Sequence, residues 1–444
     1  PARVRPGPGG RAIARVWPLG LKEKILWPGF RGDQWLSSPN QGSLKAPARV
    51  GMVLGAGNIA SIGPTDVLYK MFVENQVIVL KMNPVNDYLG PMLETAFECL
   101  IQDGFLAVVY GGPEVGARLV EHPDVEAVHM TGSDRTHDAI VWGGTAEEQQ
   151  RRKREGTPRL GKEVTSELGC CTPVLVVPGP WSEADLAFQG RHVAAMKTHN
   201  AGFDCASAQV LVTSRNWSLR QAFLDQVRHH LATMPPRIAY YPGAQERLES
   251  FCREYPQAES LAGRRLVTGL DASNSAYVRT HELFCAGLAE VTLDSEGPEA
   301  FLEQAVRLAN EQVWGSLSCV VLIHPITAAY HRQALERAVR DLRFGAIGVN
   351  LWSGVLFGLT AGSWGAYPGA TLERIESGRG VVHNGLLFDH PEKWVVYAPF
   401  RIFPTPPWFP DHRNLAQVGE RFTDYLNRPS WWNLARLALA ALRG

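Results

Sequence analysis

Cys205 ends the segment HNAGFDC, residues 199 to 205, and precedes an apolar run that is typical of a buried strand. A cysteine in this setting allows two interpretations. As a thiolate it is a nucleophile that attacks carbonyl carbon. As a packed thiol it is one of the small hydrophobic residues found most often inside proteins. Cys205 alone does not distinguish the two, so the surrounding motifs must.

A second segment with chemical potential is GAGNIA, residues 55 to 60, which follows a predicted strand. It fits the dinucleotide-binding pattern G-x-G-x-x-A, and Glu74 stands downstream as a candidate acid for the ribose. In that fingerprint the helix begins within the glycine turn, whereas here it is predicted to begin only near Pro64. The pattern therefore indicates a phosphate site only weakly, and an Asx turn is the ordinary interpretation of Asn58.

The elements that must position these residues alternate between short apolar strands and amphipathic helices. In the first series we predict strands at RVGMVLG, QVIVLK, FLAVVYGG and VEAVHMTGS, with helices at PTDVLYKMFVEN, DYLGPMLETAFECLIQDG and from Pro113. In the second series the strands are TPVLVV, SAQVLVTS, SCVVLIHP and GAIGVN. This βαβα order predicts an α/β fold with parallel sheets covered on both faces by helices.

The charged segment AEEQQRRKREGTPRLG, residues 146 to 161, has little to bury and is interpreted as a surface excursion before a domain boundary. We predict a dinucleotide-binding domain over 1–163 and a catalytic domain over 164–384. The remainder, 385–444, is predicted to be an oligomerisation or docking tail. Its last helix, WWNLARLALAALRG, has an apolar face but is short and carries Arg436, which favours docking over membrane contact.

Composition excludes several classes of function. With 444 residues, 45% of them hydrophobic, and 44 basic against 44 acidic side chains, we expect a soluble globular protein that does not bind nucleic acid. No apolar run reaches the roughly 18 residues that span a bilayer. The seven cysteines lack disulfide-framework or zinc-site spacing, which predicts reduced thiols and a cytoplasmic location. Because the chain begins with Pro1, we interpret its N-terminus as trimmed.

Eight motifs together resemble the aldehyde dehydrogenase superfamily. In chain order they are Asn58 in the loop after the first strand, LKMNP around Lys81, GGPEVG at 111–116, TGS at 131–133, ELG at 167–169, NAGFDC ending at Cys205, HELF at 281–284 and GAIGVN ending at Asn350. Each is common alone, but eight in the family's order are specific, and the match runs from about residue 48 to about residue 385. The resemblance implies a Rossmann-like cofactor domain, an α/β catalytic domain and a C-terminal region that helps oligomerisation.

The resemblance also assigns three catalytic residues. It implies that Cys205 is the nucleophile, which forms a thiohemiacetal with an aldehyde and, after hydride transfer, a thioester. The amide of Asn58 and the backbone N–H of Cys205 are the implied oxyanion donors. Glu167 is the implied general base, which activates water to hydrolyse the thioester. Cys170 stands where the family usually has glycine, and we expect its side chain to crowd Glu167 or the nicotinamide.

The cofactor implied by the resemblance is NAD or NADP. Ser133 is expected to cap the next helix, whose N-terminal N–H groups face the pyrophosphate, while Gly132 allows the close approach. Lys81 is similar to the family's lysine for the adenosine ribose. The acid that often follows it and selects NAD is replaced here by Asn83 and Pro84, so the choice between the two cofactors stays open.

The HELF motif matches the nicotinamide end of the cofactor site. Glu282 corresponds to the residue that binds the nicotinamide ribose, and Phe284 to the residue that packs against the ring. The glycine that usually follows is Cys285 here, which predicts a reshaped ring pocket. His137 and Asp138, near the phosphate helix, resemble a dyad, but a solvated or capping role is favoured.

The predicted function is NAD(P)+-dependent oxidation of a small-molecule aldehyde to a carboxylic acid, in a homodimer or homotetramer without a metal. Two alternatives stay open. A CoA-acylating aldehyde dehydrogenase or acyl-CoA reductase would use the same cysteine without Glu167 as a base. A catalytically degenerate assembly protein would keep the fold and lose the cofactor. The abundance of Trp and Phe mildly favours an apolar or aromatic aldehyde.

Overall fold

The computed structural model describes residues 3–37 and 47–444. Its strands, in chain order, are β1 (Arg3–Pro6), β2 (Ala12–Trp17), β3 (Arg31–Leu36), β4 (Arg49–Leu54), β5 (Gln76–Lys81), β6 (Leu106–Val109), β7 (Ala127–Thr131), β8 (Glu163–Glu167), β9 (Pro173–Val176), β10 (Val210–Ser214), β11 (Glu259–Leu261), β12 (Arg264–Leu270), β13 (Gly287–Leu293), β14 (Ser318–Leu322), β15 (Ala346–Val349), β16 (Ser363–Trp364), β17 (Gly378–Arg379), β18 (His383–Asn384) and β19 (Pro391–Tyr397). They form a six-stranded sheet, an eleven-stranded sheet and a two-stranded ladder of β16 and β18.

The α-helices are α1 (Leu21–Leu26), α2 (Ile62–Phe72), α3 (Gly90–Ala96), α4 (Glu98–Gln102), α5 (Pro113–Glu121), α6 (Asp134–Val141), α7 (Ala146–Glu155), α8 (Glu183–Thr198), α9 (Arg220–Thr233), α10 (Ala244–Glu254), α11 (Ala276–Thr280), α12 (Gly297–Gln312), α13 (Pro325–Tyr330), α14 (Arg332–Asp341), α15 (Gly354–Leu359), α16 (Leu415–Asn427) and α17 (Trp431–Ala441). Short 3₁₀ turns add Pro8–Gly10, Asp87–Leu89 and His199–Gly202. In the part of the chain that the structure describes, no helix is long and apolar enough to cross a membrane.

The six-stranded sheet has the order β17-β8-β7-β4-β5-β6, and all its strands except β17 run parallel. Parallel strands place their carboxyl ends along one edge of the sheet. Lys81 ends β5, Thr131 ends β7 and Glu167 ends β8, so all three lie at that edge. Val67 of α2 packs with Leu80 of β5 in one of the apolar clusters that anchor this sheet.

The eleven-stranded sheet has the order β1-β2-β3-β19-β15-β14-β9-β10-β13-β12-β11. Its strands from β19 to β12 are parallel, and the outer strands are antiparallel. Every residue of β9, β10, β14 and β15 is buried, as expected of central strands with helices on both faces. Cys205 lies in the turn that precedes β10, and it packs against the apolar cluster that contains the buried residues of that strand.

The predicted α/β fold class is confirmed, and the eight predicted strands are present. Two helices differ in detail. α2 begins at Ile62, slightly before Pro64, and the helix predicted over residues 87–104 is divided at Phe97 into α3 and α4. The predicted excursion at 146–161 contains α7, which has no buried side chain.

The sheets cross both predicted domain boundaries. β8 belongs to the six-stranded sheet although it begins at residue 163, and β1 to β3 join the eleven-stranded sheet rather than the predicted dinucleotide-binding domain. β19, from the predicted tail, is also a strand of the larger sheet. The boundaries at residues 163 and 384 stay predictions. At the C-terminus, α16 and α17 pack together through Val418, Leu437 and Ala440.

Candidate active site

All eight residues predicted to form the site line one cleft of about 1170 Å³. The cleft lies where the carboxyl-terminal edge of the six-stranded sheet faces the turn of Cys205 and the HELF segment. Its predicted members are Asn58, Lys81, Gly132, Ser133, Glu167, Cys205, Glu282 and Phe284. The sequence motifs therefore converge in space, which their spacing along the chain does not require.

At the centre of this cleft, the Cys205 thiol donates a hydrogen bond to the Glu167 carboxyl, with 3.1 Å between Sγ and Oε1. Cys205 is half-buried, whereas the Glu167 side chain is buried at the end of β8. The second carboxyl oxygen, Oε2, is buried without a hydrogen-bond partner among the described residues. The predicted nucleophile and the predicted base are thus in direct contact.

Burial raises the pKa of both groups in this pair. It raises the pKa of the Glu167 carboxyl to about 7, although the Trp364 indole and the Cys205 thiol lower it. Burial also raises the pKa of the Cys205 thiol well above its usual range, and the charge of Glu167 raises it further. The resting pair therefore holds a neutral thiol next to a carboxyl that ionises near neutral pH. Such a carboxyl can accept the thiol proton when a substrate arrives.

Asn58 lies in the loop between β4 and α2, and hydrogen bonds tie this loop to the cysteine segment. Its Nδ2 donates to the Phe203 carbonyl at 2.9 Å, and its own carbonyl accepts from Asn200 Nδ2 at 3.0 Å. A carboxamide nitrogen carries two hydrogens, so one remains for a ligand in the cleft. Asn58 and Cys205 therefore reach the same cleft from different sheets.

The competing interpretation of GAGNIA as a phosphate turn finds little support in this geometry. A side chain at Gly57 would lie 2.6 Å from Asn83 Oδ1, so the glycine is explained by the close approach of the next loop. Glu74, the candidate ribose acid, pairs with Lys70 at 2.7 Å and accepts from Gln76 at 3.0 Å. It does not line the cleft.

The phosphate segment after β7 has the predicted local structure. Ser133 is the N-cap of α6, and its Oγ accepts from the backbone N–H of Thr136 at 3.2 Å. The Arg135 N–H donates to Asp134 Oδ1 at 2.8 Å, which leaves the N–H of Asp134 at this helix end to face an anion.

Lys81, at the end of β5 and two strands away from β7 in the sheet, is largely buried at the cleft wall. Burial lowers its pKa against the opposing influence of Glu114 and Asp87.

At the opposite end of the cleft, Glu282 accepts from the backbone N–H of Cys170 at 3.1 Å. Burial raises the pKa of the Glu282 carboxyl to about 7, whereas that hydrogen bond lowers it. A Cβ at residue 169 would overlap the Glu282 carboxyl, so a larger residue here would displace that carboxyl from its present position. Phe284 follows with a φ of +41°, and Arg247 Nε donates to its carbonyl at 3.2 Å.

The expectation that Cys170 crowds the site is wrong. Its Sγ contacts the Ser318 carbonyl at 3.7 Å inside the core, and only its backbone N–H faces Glu282. Cys285 is likewise buried in the core and does not line the cleft, so no reshaping of the ring pocket by its side chain is found. The side chains of Cys170 and Cys285 are therefore both buried in the core and do not line the cleft.

His137 is fully buried, which contradicts the predicted solvated role. Its Nδ1 lies 3.2 Å from Asp138 Oδ1, and Asp138 also accepts from Lys153 Nζ at 2.6 Å. Neither His137 nor Asp138 lines the cleft. These contacts connect α6 to α7 and have a structural role.

Sequence motifs missed four residues near the site. Trp364 lowers the pKa of Glu167, Arg247 donates to the carbonyl of Phe284 in the HELF turn, and Tyr240 and Tyr241 contact the cysteine segment. None belongs to a recognisable motif. Tyr240 and Tyr241 stand in a segment without regular structure, where periodicity gives no signal.

Comparisons with known proteins agree with this site. The model of the aldehyde dehydrogenase family matches residues 68–275, slightly less than half of the chain. An N-succinylglutamate 5-semialdehyde dehydrogenase of Novosphingobium aromaticivorans is 26% identical over 193 residues, which cover 43% of this chain and 36% of the relative. A chloroplastic betaine aldehyde dehydrogenase of Amaranthus hypochondriacus is 24% identical and covers 62% of this chain and 56% of the relative. The chain thus spans between about a third and just over half of these relatives.

Solved structures share the fold over most of the chain. The γ-glutamyl-γ-aminobutyraldehyde dehydrogenase of Burkholderia cenocepacia superposes with a TM-score of 0.60 at 18% identity, over 89% of this chain and 71% of that one. An aldehyde dehydrogenase of Mycobacterium tuberculosis, solved with NAD+, gives a TM-score of 0.55 at 18% identity, over 91% and 74%. At this identity the likeness concerns the fold. The family model and the curated relatives agree with the predicted resemblance to the aldehyde dehydrogenase superfamily, and the solved structures agree with the fold.

Proposed function

We propose that this protein oxidises an aldehyde to a carboxylic acid, with NAD+ or NADP+ as the hydride acceptor. The observation that carries the proposal is the contact between Cys205 and Glu167, 3.1 Å apart in the cleft that also contains Asn58. A nucleophile, a base and an oxyanion donor within one cleft are the requirements of acyl chemistry at a carbonyl carbon. The family relationship supports the same chemistry.

The cleft fits a dinucleotide. The capped N-terminus of α6 at Ser133 offers a backbone N–H to a pyrophosphate, and the Lys81 ammonium and the Glu282 carboxyl lie at two other walls where ribose hydroxyls would bind. When bound, NAD(P)+ supplies the hydride acceptor. Superposed dehydrogenases, such as that of Mycobacterium tuberculosis, were solved with NAD+, which supports this cofactor for the present chain. Asn83 and Pro84 follow Lys81 where a carboxylate would select NAD, so the choice between NAD and NADP stays open.

In the first half-reaction Glu167 takes the thiol proton, and the thiolate of Cys205 attacks the aldehyde carbon. The developing oxyanion accepts hydrogen bonds from the free N–H of the Asn58 amide and from the backbone N–H of Cys205. Loss of hydride from this adduct leaves a thioester on Cys205. The proton and the hydride thus leave in separate steps, and the chain's own residues handle only the proton.

Glu167 then releases the thiol proton to solvent. In the second half-reaction its carboxylate takes a proton from water, and the hydroxide attacks the thioester. The carboxylic acid leaves and the thiolate of Cys205 is restored. A carboxyl with a pKa of about 7 is well matched to both proton transfers near neutral pH. Its direct contact with the nucleophile favours hydrolysis over transfer to CoA, because a thiol acceptor would attack the thioester without a base.

We further propose a homo-oligomer and a cytoplasmic location. The C-terminal helices expose apolar side chains that a partner subunit would cover, namely Phe422, Leu426, Trp431, Trp432 and Leu439. All seven cysteines are free thiols, which suits a reducing compartment. Size-exclusion chromatography with light scattering, on the wild type and on Trp432→Glu, would test the assembly.

The function is tested by NAD(P)H formation from a panel of polar, apolar and aromatic aldehydes, with and without CoA. Production of free acid without CoA is expected. Dependence on CoA would replace this function with the acylating alternative. If no aldehyde gives NAD(P)H and the protein does not bind either nucleotide, the degenerate alternative would be supported.

A further inference from the structure

Tyr240 places its hydroxyl at the junction between the loop of Asn58 and the cysteine segment. The hydroxyl oxygen lies 2.9 Å from the Asn58 carbonyl and 3.1 Å from Asn200 Oδ1, so it donates to either acceptor. The residue itself is 43% exposed and belongs to the segment between α9 and α10. A third part of the chain thus reaches the two loops that form the predicted oxyanion site.

The two loops are also bonded to each other at this point. Asn200 Nδ2 donates to the Asn58 carbonyl at 3.0 Å, and Asn58 Nδ2 donates to the Phe203 carbonyl at 2.9 Å. Asn200 and Ala201 have φ values of +47° and +55°, a conformation that asparagine tolerates but that is unfavourable for alanine. Such a backbone persists only where its surroundings fix it. Tyr240 is one of the groups that do so.

The segment that carries Tyr240 is fixed at both ends by arginine side chains. Arg264 donates from Nη1 to the Met234 carbonyl at 3.0 Å, at the start of the segment. At its end, Arg247 donates to the Pro242 carbonyl at 3.1 Å and to the Phe284 carbonyl at 3.2 Å. The segment therefore holds the tyrosine hydroxyl against a defined framework.

Aromatic contacts complete this arrangement. The rings of Tyr240 and Phe203 meet edge to face with centroids 5.2 Å apart, and those of Tyr241 and Phe284 do so at 5.1 Å. Tyr241 lines the cleft, while the hydroxyl of Tyr240 points to the carbonyl of Asn58. Tyr240 therefore contacts the loop of Asn58, while its neighbour Tyr241 forms part of the cleft wall.

We propose that Tyr240 is a positioning residue for Asn58. The two oxyanion donors, the Asn58 amide and the Cys205 N–H, come from different sheets, and small errors in their relative placement cost much of their effect. Tyr240 fixes the backbone from which the Asn58 amide projects, without touching the substrate. The inference rests on the proposed function, because it requires Asn58 to stabilise an oxyanion.

The test compares Tyr240→Phe with wild type, alone and in an Asn58→Ala background. Aldehyde oxidation and cofactor-free cleavage of p-nitrophenyl acetate are both measured, since in the ester reaction the Cys205 thiolate expels nitrophenolate and no redox step occurs. Loss of one neutral hydrogen bond predicts a kcat about 3- to 10-fold lower in both reactions with little change in KM. In the Asn58→Ala background the same change should lower kcat by less than about 2-fold.

Two controls separate positioning from a general structural effect. Tyr330→Phe removes a hydroxyl from a side chain that is 83% exposed on α13, and its rates should equal those of the wild type. The second control is the alkylation of Cys205 by iodoacetamide. In this reaction the thiolate attacks a tetrahedral carbon and no oxyanion forms, so the rate should be equal in Tyr240→Phe and wild type.

Equal losses from Tyr240→Phe in both backgrounds, or an unchanged kcat, would overturn the positioning role while the proposed function stands. If the wild type cleaves the ester with the expected pattern but oxidises no aldehyde, the proposed oxidation fails and the role of Tyr240 survives. If it performs neither reaction, the proposed function fails and the inference fails with it.

Discussion

The backbone N–H of Gly132 donates to the backbone carbonyl of Glu167 at 3.0 Å. This bond joins the turn expected to hold the cofactor pyrophosphate to the last residue of β8, which carries the predicted base. A dinucleotide that orders the turn of Gly132 would therefore also restrain the backbone of Glu167. The turn expected to hold the cofactor and the predicted base are consequently parts of one strand-end structure.

The first prediction concerns the nucleophile. Cys205→Ala is expected to abolish aldehyde oxidation and ester cleavage, because no other thiol of the described residues lines the cleft. The side chain is small and half-buried, so thermal unfolding and nucleotide affinity should remain close to those of the wild type. Initial rates, circular dichroism and nucleotide titration would check this. Turnover above background in the variant would exclude Cys205 as the nucleophile.

The second prediction concerns Glu167→Gln. Hydride transfer precedes the hydrolytic step, so one equivalent of NAD(P)H should still form before turnover collapses. That burst should be slower than in the wild type, because the thiol loses the carboxylate that accepts its proton at 3.1 Å. Acyl-enzyme should then accumulate as a mass increase on the intact protein. A variant that keeps the wild-type steady-state rate would contradict a hydrolytic role for this residue.

A third prediction links the same carboxyl to stability. Burial raises the pKa of Glu167 from 4.5 to about 7 in the folded protein. The folded state therefore favours the protonated form, so this contribution to stability is full below about pH 4.5 and is lost as the pH rises through 7. Glu167→Gln, which carries no charge, should stabilise the fold at pH 8 by up to about 3 kcal/mol. The gain should disappear near pH 4.5.

Denaturant unfolding across this pH range would measure the effect. Glu163→Gln is the matched control, since that carboxyl begins the same strand, has a side chain that is 52% exposed, and pairs with Arg49. The control should not reproduce the gain at alkaline pH. If Glu167→Gln behaves like the control, the carboxyl does not remain buried and charged in the folded protein at pH 8.

The fourth prediction separates the oxyanion site from the cofactor site. Asn58→Ala should lower kcat by roughly 10²- to 10³-fold, the usual effect of removing one oxyanion donor, with nucleotide affinity nearly unchanged. Ser133→Ala should do the reverse and weaken nucleotide binding several-fold, because it removes the cap of α6. Turnover and nucleotide titration on both variants decide the outcome. If Asn58→Ala instead weakens nucleotide binding and Ser133→Ala lowers kcat, the interpretation of GAGNIA as a phosphate-binding loop would be supported.

The residues that line the cleft could be predicted from the order of the motifs, because the motifs lie in turns and at the ends of strands. It did not give their mutual geometry, such as the contact between Cys205 and Glu167, which depends on how the two sheets meet. The side chain of Cys170 was misjudged because its direction is set by packing in the core. Tyr240 was missed because its contacts are with side chains and carbonyls far away in the sequence.

β1 to β3 were missed for a different physical reason. These strands carry charged residues that hide the apolar pattern of a buried sheet. Asp33 is 2% exposed in β3, yet Arg15 lies at 2.6 Å and Arg31 at 3.3 Å, so its charge is paired. Partners on neighbouring strands cannot be identified before the register of the sheet is known.

The antiparallel pairing of β3 with β19 has a consequence for biosynthesis. Gln34 Nε2 donates to the Lys393 carbonyl at 3.1 Å across a separation of 359 residues. The edge of β3 that pairs with β19 therefore stays unpaired in a nascent chain until β19 has left the ribosome. Unpaired edges invite association with other chains. Premature termination before residue 391 should consequently yield an aggregation-prone product rather than a smaller folded enzyme.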